Sequence, residues 1–126
     1  MTNLYIEARE FIPEIDFQAD TGLLKISGDS YHEYTHEFFD PIFAWIDEYT
    51  KTEGRNITLN FKMNYFNTAS SKCFFDIIEM LQQYQESGKG NVVINWYYQE
   101  DDEDMLETGQ DYILDSGYPI NLISYR

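Results

Sequence analysis

The chain has 126 residues, long enough for one ordinary domain with its own core, and 43% of them are hydrophobic and 17% aromatic, which excludes a disordered chain. A formal net charge of −15 and a pI near 4.2 exclude nucleic acid as a partner and disfavour an anionic membrane surface, because both would repel it. Such a charge steers basic protein surfaces inward, or serves solubility alone.

Residues 4–7 read as a short first strand. In "EIDFQ" (14–18), Ile15 and Phe17 share one side; in "GLLKIS" (22–27), Leu24 and Ile26 oppose Lys25 and Ser27. The "ADTG" between them has turn chemistry, so the two runs form a predicted β-hairpin. A helical stripe follows, with Phe38, Ile42, Trp45, Ile46 and Tyr49 on one face and a stop near Gly54. Proline is tolerated in a first turn, so Pro41 puts the start of the regular helix near Asp40.

"NITLNFKMNYF" (56–66) returns to alternation. Ile57, Leu59, Phe61 and Met63 face one way and Thr58, Asn60 and Lys62 the other, which predicts a strand ending near Met63 and covered on one face only. A second helix carries Phe74, Ile77, Ile78, Leu81 and Tyr84 and stops at Gly88. "NVVINWYY" (91–98) is β-branched and aromatic, as strands are. "EDDEDMLETGQDYILDS" is a predicted helix whose carboxylates suit the positive end of its dipole, and "YPINLISY" is a last strand. No repeat or low-complexity linker interrupts this order. Residues 1–126 therefore read as a single α/β domain, a mixed β-sheet with helices packed mainly on one face.

The N-terminus, "MTNLYIEAREFIPEIDF", lacks a basic leader followed by an apolar run, and no segment approaches the roughly 20 apolar residues of a membrane span. Cys73, the only cysteine, sits in "KCFFDII" and reads as a buried, inert thiol. Together these features point to a reducing cytoplasm.

Two stretches invite a chemical reading. The first is His32-Glu33-Tyr34-Thr35-His36, an H-E-x-x-H. On a helix this spacing stacks two imidazoles one turn apart, with a glutamate placed to activate a zinc-bound water. That would make the chain a metal-dependent hydrolase using His32, Glu33 and His36. Against it stand the absence of any third histidine, the flanking Gly28-Asp29-Ser30 and Pro41, and the lack of room for a two-lobed cleft. The motif reads as a loop running into a helix start, with two exposed histidines and no metal.

The second is "NYFNTASSKCFFDII". Asn67-Thr68-Ala69-Ser70-Ser71 leads a strand directly into an amphipathic helix, and either Thr68 or Asn67 would serve as its N-cap. A hydroxyl at such a position is also a favourable phosphorylation site. A phosphate there meets free N–H groups and the positive end of the dipole, and Lys72 is placed to add a charge-assisted contact.

Taken in order, "GDSYHEYTHEFFDPIFAWIDEY", "NYFNTASSKCFFDIIEML" and "NVVINWYYQEDDEDMLETGQDY" resemble the SiaC family of bacterial biofilm-regulating phosphoproteins over essentially the whole chain. The resemblance implies a fold like the STAS domain of anti-sigma factor antagonists. It implies a protein without catalytic residues or cofactor, phosphorylated on a threonine by a dedicated kinase and dephosphorylated by a PP2C-type phosphatase. Unphosphorylated, it would bind and activate a diguanylate cyclase. By position that threonine is Thr68, with Asn67, Ser70, Ser71 and Lys72 on or beside the partner-reading surface. The family's GDSYPEN-like segment is matched by Gly28, Asp29, Ser30, Tyr31 and Glu33, which places Asp29, Ser30, Tyr31 and Glu33 on that surface too. His32 stands where the pattern has proline and Tyr34 where it has asparagine, so the zinc-like spelling arises by substitution. A STAS-like antagonist of an anti-sigma factor, with no cyclase involved, is the alternative within this class.

Overall fold

The computed structural model describes all residues, Met1–Arg126, and its elements run β1 (Leu4–Ile6), β2 (Glu14–Gln18), β3 (Leu23–Ser30), α1 (Thr35–Tyr49), β4 (Asn56–Phe66), α2 (Thr68–Glu86), β5 (Asn91–Gln99), α3 (Glu103–Ser116) and β6 (Asn121–Tyr125). The strands form one mixed sheet in the order β1-β2-β3-β4-β5-β6. β1, β2 and β3 pair antiparallel, and β3 to β6 pair parallel. Each parallel connection is a crossover through one helix, and every crossover steps the same way across the sheet. Right-handed crossovers stepping one way all fall on the same face, which is why the three helices share a side. The mixed α/β architecture agrees with the STAS-like expectation.

The core lies between that face and the helices. Leu24, Leu59 and Ile94 stand in register across three strands, as do Ile26, Phe61 and Trp96, and all six are buried. They meet Phe39, Ile42 and Ile46 of α1 and Phe74, Ile77, Ile78 and Leu81 of α2 in one hydrophobic cluster. The opposite face is open and polar. Asn60, Asn95 and Asn121 stand side by side, with Asn95 Nδ2 donating to Asn60 Oδ1 (2.8 Å) and Asn121 Nδ2 donating to Asn95 Oδ1 (3.0 Å). This amide ladder gives the uncovered face directional contacts in place of packing.

Two of the boundaries that differ from the sequence expectation lie beside the two motifs. α1 begins at Thr35, not near Asp40, and Pro41 lies inside it. Burial of Thr35 and Phe39 anchors the turn before the proline, and Thr35 Oγ1 donates to the His32 carbonyl at 2.6 Å. β4 runs on past Met63 to Phe66. There the register shifts between Gly28 and Asp29, so Gly28 pairs with Met63 but Asp29 pairs with Tyr65. The resulting bulge skips Asn64, leaves Tyr65 exposed and turns Phe66 onto the rings of Phe74 and Trp96, at 5.1 and 5.9 Å.

Candidate functional site

Parallel strands deliver their C-terminal ends to one edge of the sheet, the usual place for sites in α/β folds. At this edge β3 ends in Ser30 and β4 in Phe66, and α2 starts after a single intervening residue, Asn67. Asn67 is the N-cap: its backbone is extended and its Oδ1 accepts from the Ser70 N–H at 2.9 Å. Of the two cap candidates, Asn67 fills the role, which leaves Thr68 as the first helical residue with an exposed side chain. Neither the Thr68 nor the Ala69 N–H has a partner within the molecule, as the first turn of a helix dictates.

The two motifs meet through buried hydroxyls. Ser70 Oγ donates to the Ser30 carbonyl (2.8 Å) and lies 2.7 Å from Ser30 Oγ, while the Asn67 N–H donates to the same carbonyl at 3.0 Å. Ser30 and Ser70 are 2% and 0% exposed. This corrects the expectation that they form part of a contacting surface: both have turned inward to tie β3 to α2. Asp29, Tyr31 and Asn67 are half-buried and Glu33 is exposed.

On its other side α2 is tied to α3. Ser71 Oγ and Tyr112 OH are 2.8 Å apart, and Tyr112 OH donates to the Ser71 carbonyl at 3.0 Å. Burial holds the Tyr112 phenol well above its ordinary pKa of 10.0, against the opposing pull of its Ser71 hydrogen bond, so it stays a neutral donor. Thr68, Ser71, Lys72, Phe75, Tyr112 and Asp115 line a shallow groove of about 440 Å³ between the helices. Lys72 does not point at a vacant site. Its Nζ pairs with Asp76 at 2.9 Å, and that hydrogen bond raises its pKa. Tyr112 and Asp115 went unnoticed in the sequence, because only the packing of α3 on α2 brings them to Thr68; Phe75, two turns along α2 from Thr68, shares its side of the helix by periodicity.

The H-E-x-x-H residues do not form a helical face. His32, Glu33 and Tyr34 precede α1, and His36 is its second residue. His32 is half-buried rather than exposed, and its Nδ1 accepts the Tyr34 N–H at 2.9 Å; His36 is exposed, with Nδ1 4.0 Å from Cys73 Sγ. No group of three or more His, Cys, Asp and Glu side chains is arranged here or elsewhere so that it could hold a metal ion. Cys73 is buried as expected, and burial raises its thiol pKa, which keeps it from acting as a thiolate.

The family model for SiaC family regulatory phosphoproteins matches residues 6–125. The chain belongs to the SiaC family. An uncharacterised protein of Pseudomonas aeruginosa strain UCBPP-PA14 is 28% identical over 119 residues, 94% of each chain. The crystal structure of apo-SiaC from Pseudomonas aeruginosa superposes with a TM-score of 0.88 at 27% identity, covering 98% of this chain and 99% of that one. The crystal structure of the diguanylate cyclase SiaD in complex with its activator SiaC, from the same species, contains a chain that superposes with a TM-score of 0.90 at 26% identity, covering 97% and 99%. The nine elements described above are thus those of a SiaC-family regulatory phosphoprotein, a family with a member that activates a cyclase by binding it.

Proposed function

We propose that this chain is a non-catalytic, cytoplasmic switch whose unphosphorylated form binds and activates a diguanylate cyclase. A partner kinase phosphorylates Thr68 to block that binding, and a PP2C-type phosphatase restores it. The observation that carries this reading is the exposed Thr68 side chain at the first position of α2, in a chain of a regulatory phosphoprotein family. A phosphate adds about −1.5 to −2 charges there and three acceptor oxygens. The unpartnered N–H groups of Thr68 and Ala69 and the helix dipole stabilise it locally, so the domain has no reason to unfold. What changes is the surface: a small hydroxyl beside the Phe75–Tyr112 groove becomes a bulky dianion. No helix is long and apolar enough to cross a membrane, which suits a protein passed between kinase, phosphatase and effector.

The test compares Thr68→Ala with Thr68→Glu by titration against the diguanylate cyclase of the same organism. Thr68→Ala is expected to bind within about twofold of wild type, and Thr68→Glu at least about tenfold more weakly, a loss of roughly 1.4 kcal/mol. Equal affinities for the two variants, with both folded, reject the switch.

A further inference from the structure

Between β3 and α1 the chain turns through residues 31–34, and large rings collect there at the surface. Phe11, from the β1–β2 connection, packs edge-on against Tyr31 at 5.3 Å between ring centres, and Tyr31 packs edge-on against Tyr65 at 5.5 Å. Tyr34 lies 5.9 Å from the His32 ring. Phe11, Tyr34 and Tyr65 stay 47%, 55% and 56% exposed, so three of the eight large hydrophobic side chains left in solvent fall in one patch. Folding alone supplies no reason to gather them there. Among the rings is a concavity of about 280 Å³ lined by Phe11, Tyr31, His32, Glu33 and Tyr34.

Its frame is fixed by the backbone. The Tyr31 N–H donates to the Phe11 carbonyl at 3.0 Å, His32 Nδ1 accepts the Tyr34 N–H at 2.9 Å, and the buried Thr35 hydroxyl closes the turn on the His32 carbonyl at 2.6 Å. The backbone that carries the rings is therefore set before any guest arrives. No lysine or arginine lines the concavity, and Glu33 is the one carboxylate that does. Aromatic faces with a carboxylate at the wall, in a chain of net charge −15, favour a cationic guest over a neutral apolar one.

We infer that this pocket receives an arginine side chain of the effector protein. A planar guanidinium stacks on the Tyr31 and Tyr34 rings while its N–H fork pairs with Glu33, a geometry that an ammonium or an aliphatic side chain cannot reproduce. The inference rests on the effector-binding function proposed above and names the chemistry of its second contact. The pocket opens on the same sheet edge as Thr68. Tyr31 directly follows Ser30, whose carbonyl accepts from both the Asn67 N–H and the Ser70 hydroxyl. An effector seated on this edge is anchored by its arginine at one side and reads Thr68 at the other.

Two experiments decide it. N-acetyl-arginine N-methylamide, titrated into the ring-labelled protein to about 0.1 M, is expected to give saturable shifts in the Phe11, Tyr31 and Tyr34 ring signals by NMR, while the isosteric but neutral citrulline analogue gives none. No arginine-specific shift over that range, or equal shifts with citrulline, overturns the proposal. Against the cyclase, Tyr34→Leu and Glu33→Gln are each expected to weaken binding about tenfold, and Tyr34→Phe, which keeps the ring, to recover most of it. Cyclase binding that Thr68→Glu abolishes but Tyr34→Leu leaves untouched rejects the pocket and spares the switch. The arginine titration needs no effector, so failure of the wild-type chain to bind the cyclase rejects the proposed function while the titration still decides the pocket.

Discussion

Thr68 has the geometry of a modification site because its neighbours carry the structural load. Asn67 caps the helix, Ser70 turns inward to Ser30, and Ser71 bonds to Tyr112, which leaves Thr68 alone of this run with its side chain in solvent. Sequence showed four small polar residues in one segment and no means of dividing the roles among them. The division follows from helical periodicity once the strands are in place: residues one apart on α2 point about 100° apart, one at β3 and the next at α3. A prediction at this scale concerns Ser70. Ser70→Ala strips Ser30 Oγ of its 2.7 Å neighbour and the Ser30 carbonyl of one donor, in a fully buried place. The expected loss is about 2 kcal/mol in urea unfolding, far above the few tenths expected for Thr68→Ala. Equal unfolding midpoints for the two variants would contradict the assignment of roles.

At the scale of elements, α3 shows tertiary packing overruling local preference. Gly109 lies in the interior of that helix, where glycine costs about 1 kcal/mol relative to alanine, so propensity alone favours replacing it. A Cβ at Gly109, however, would stand 2.6 Å from Trp96 Cδ1 and 2.7 Å from Leu122 Cδ2. Trp96 is buried and its Nε1 donates to the Met105 carbonyl at 2.9 Å, so the indole cannot retreat without breaking that bond. Overpacking of this kind costs about 1–3 kcal/mol, which outweighs the propensity gain. Gly109→Ala is expected to lower stability by about 1 kcal/mol in chemical denaturation; a more stable variant would mean that α3 can move off the sheet freely. Because Tyr112 rides on α3, any such shift also displaces one wall of the groove beside Thr68.

For the molecule as a whole, buried acids set the alkaline limit of stability. Burial raises the pKa of Tyr112 and Tyr118 above the ordinary 10.0, and that of Cys73 above 9.0. In the unfolded chain these groups release their protons near their ordinary values; in the native state they hold them. Below about pH 9 both states carry the same protons there and nothing is lost. Above it the unfolded state binds fewer protons than the native one, so stability falls by up to about 1.4 kcal/mol per pH unit for each such group. Urea midpoints measured between about pH 8 and pH 11 should fall steadily over the upper part of that range, and a flat profile would show that these groups are not held neutral.

Much of this protein is legible in its residues alone. Alternating and helical periodicities determined nine elements in order, the helix-covered and open sides of the sheet, and the capped start of α2, because burial on one face writes its period directly into the chain. The motifs in "GDSYHEY" and "NTASSK" were enough to indicate the family. Tertiary structure decided the rest. Register at the β3–β4 bulge made Tyr65 a surface ring and packed Phe66 against the core. Packing of α3 brought Tyr112 and Asp115 to Thr68, and the Ser30–Ser70 contact joined two motifs forty residues apart. Local periodicity reports which side of an element is buried. It carries no record of what lies opposite, and the chemistry at this edge depends on what lies opposite.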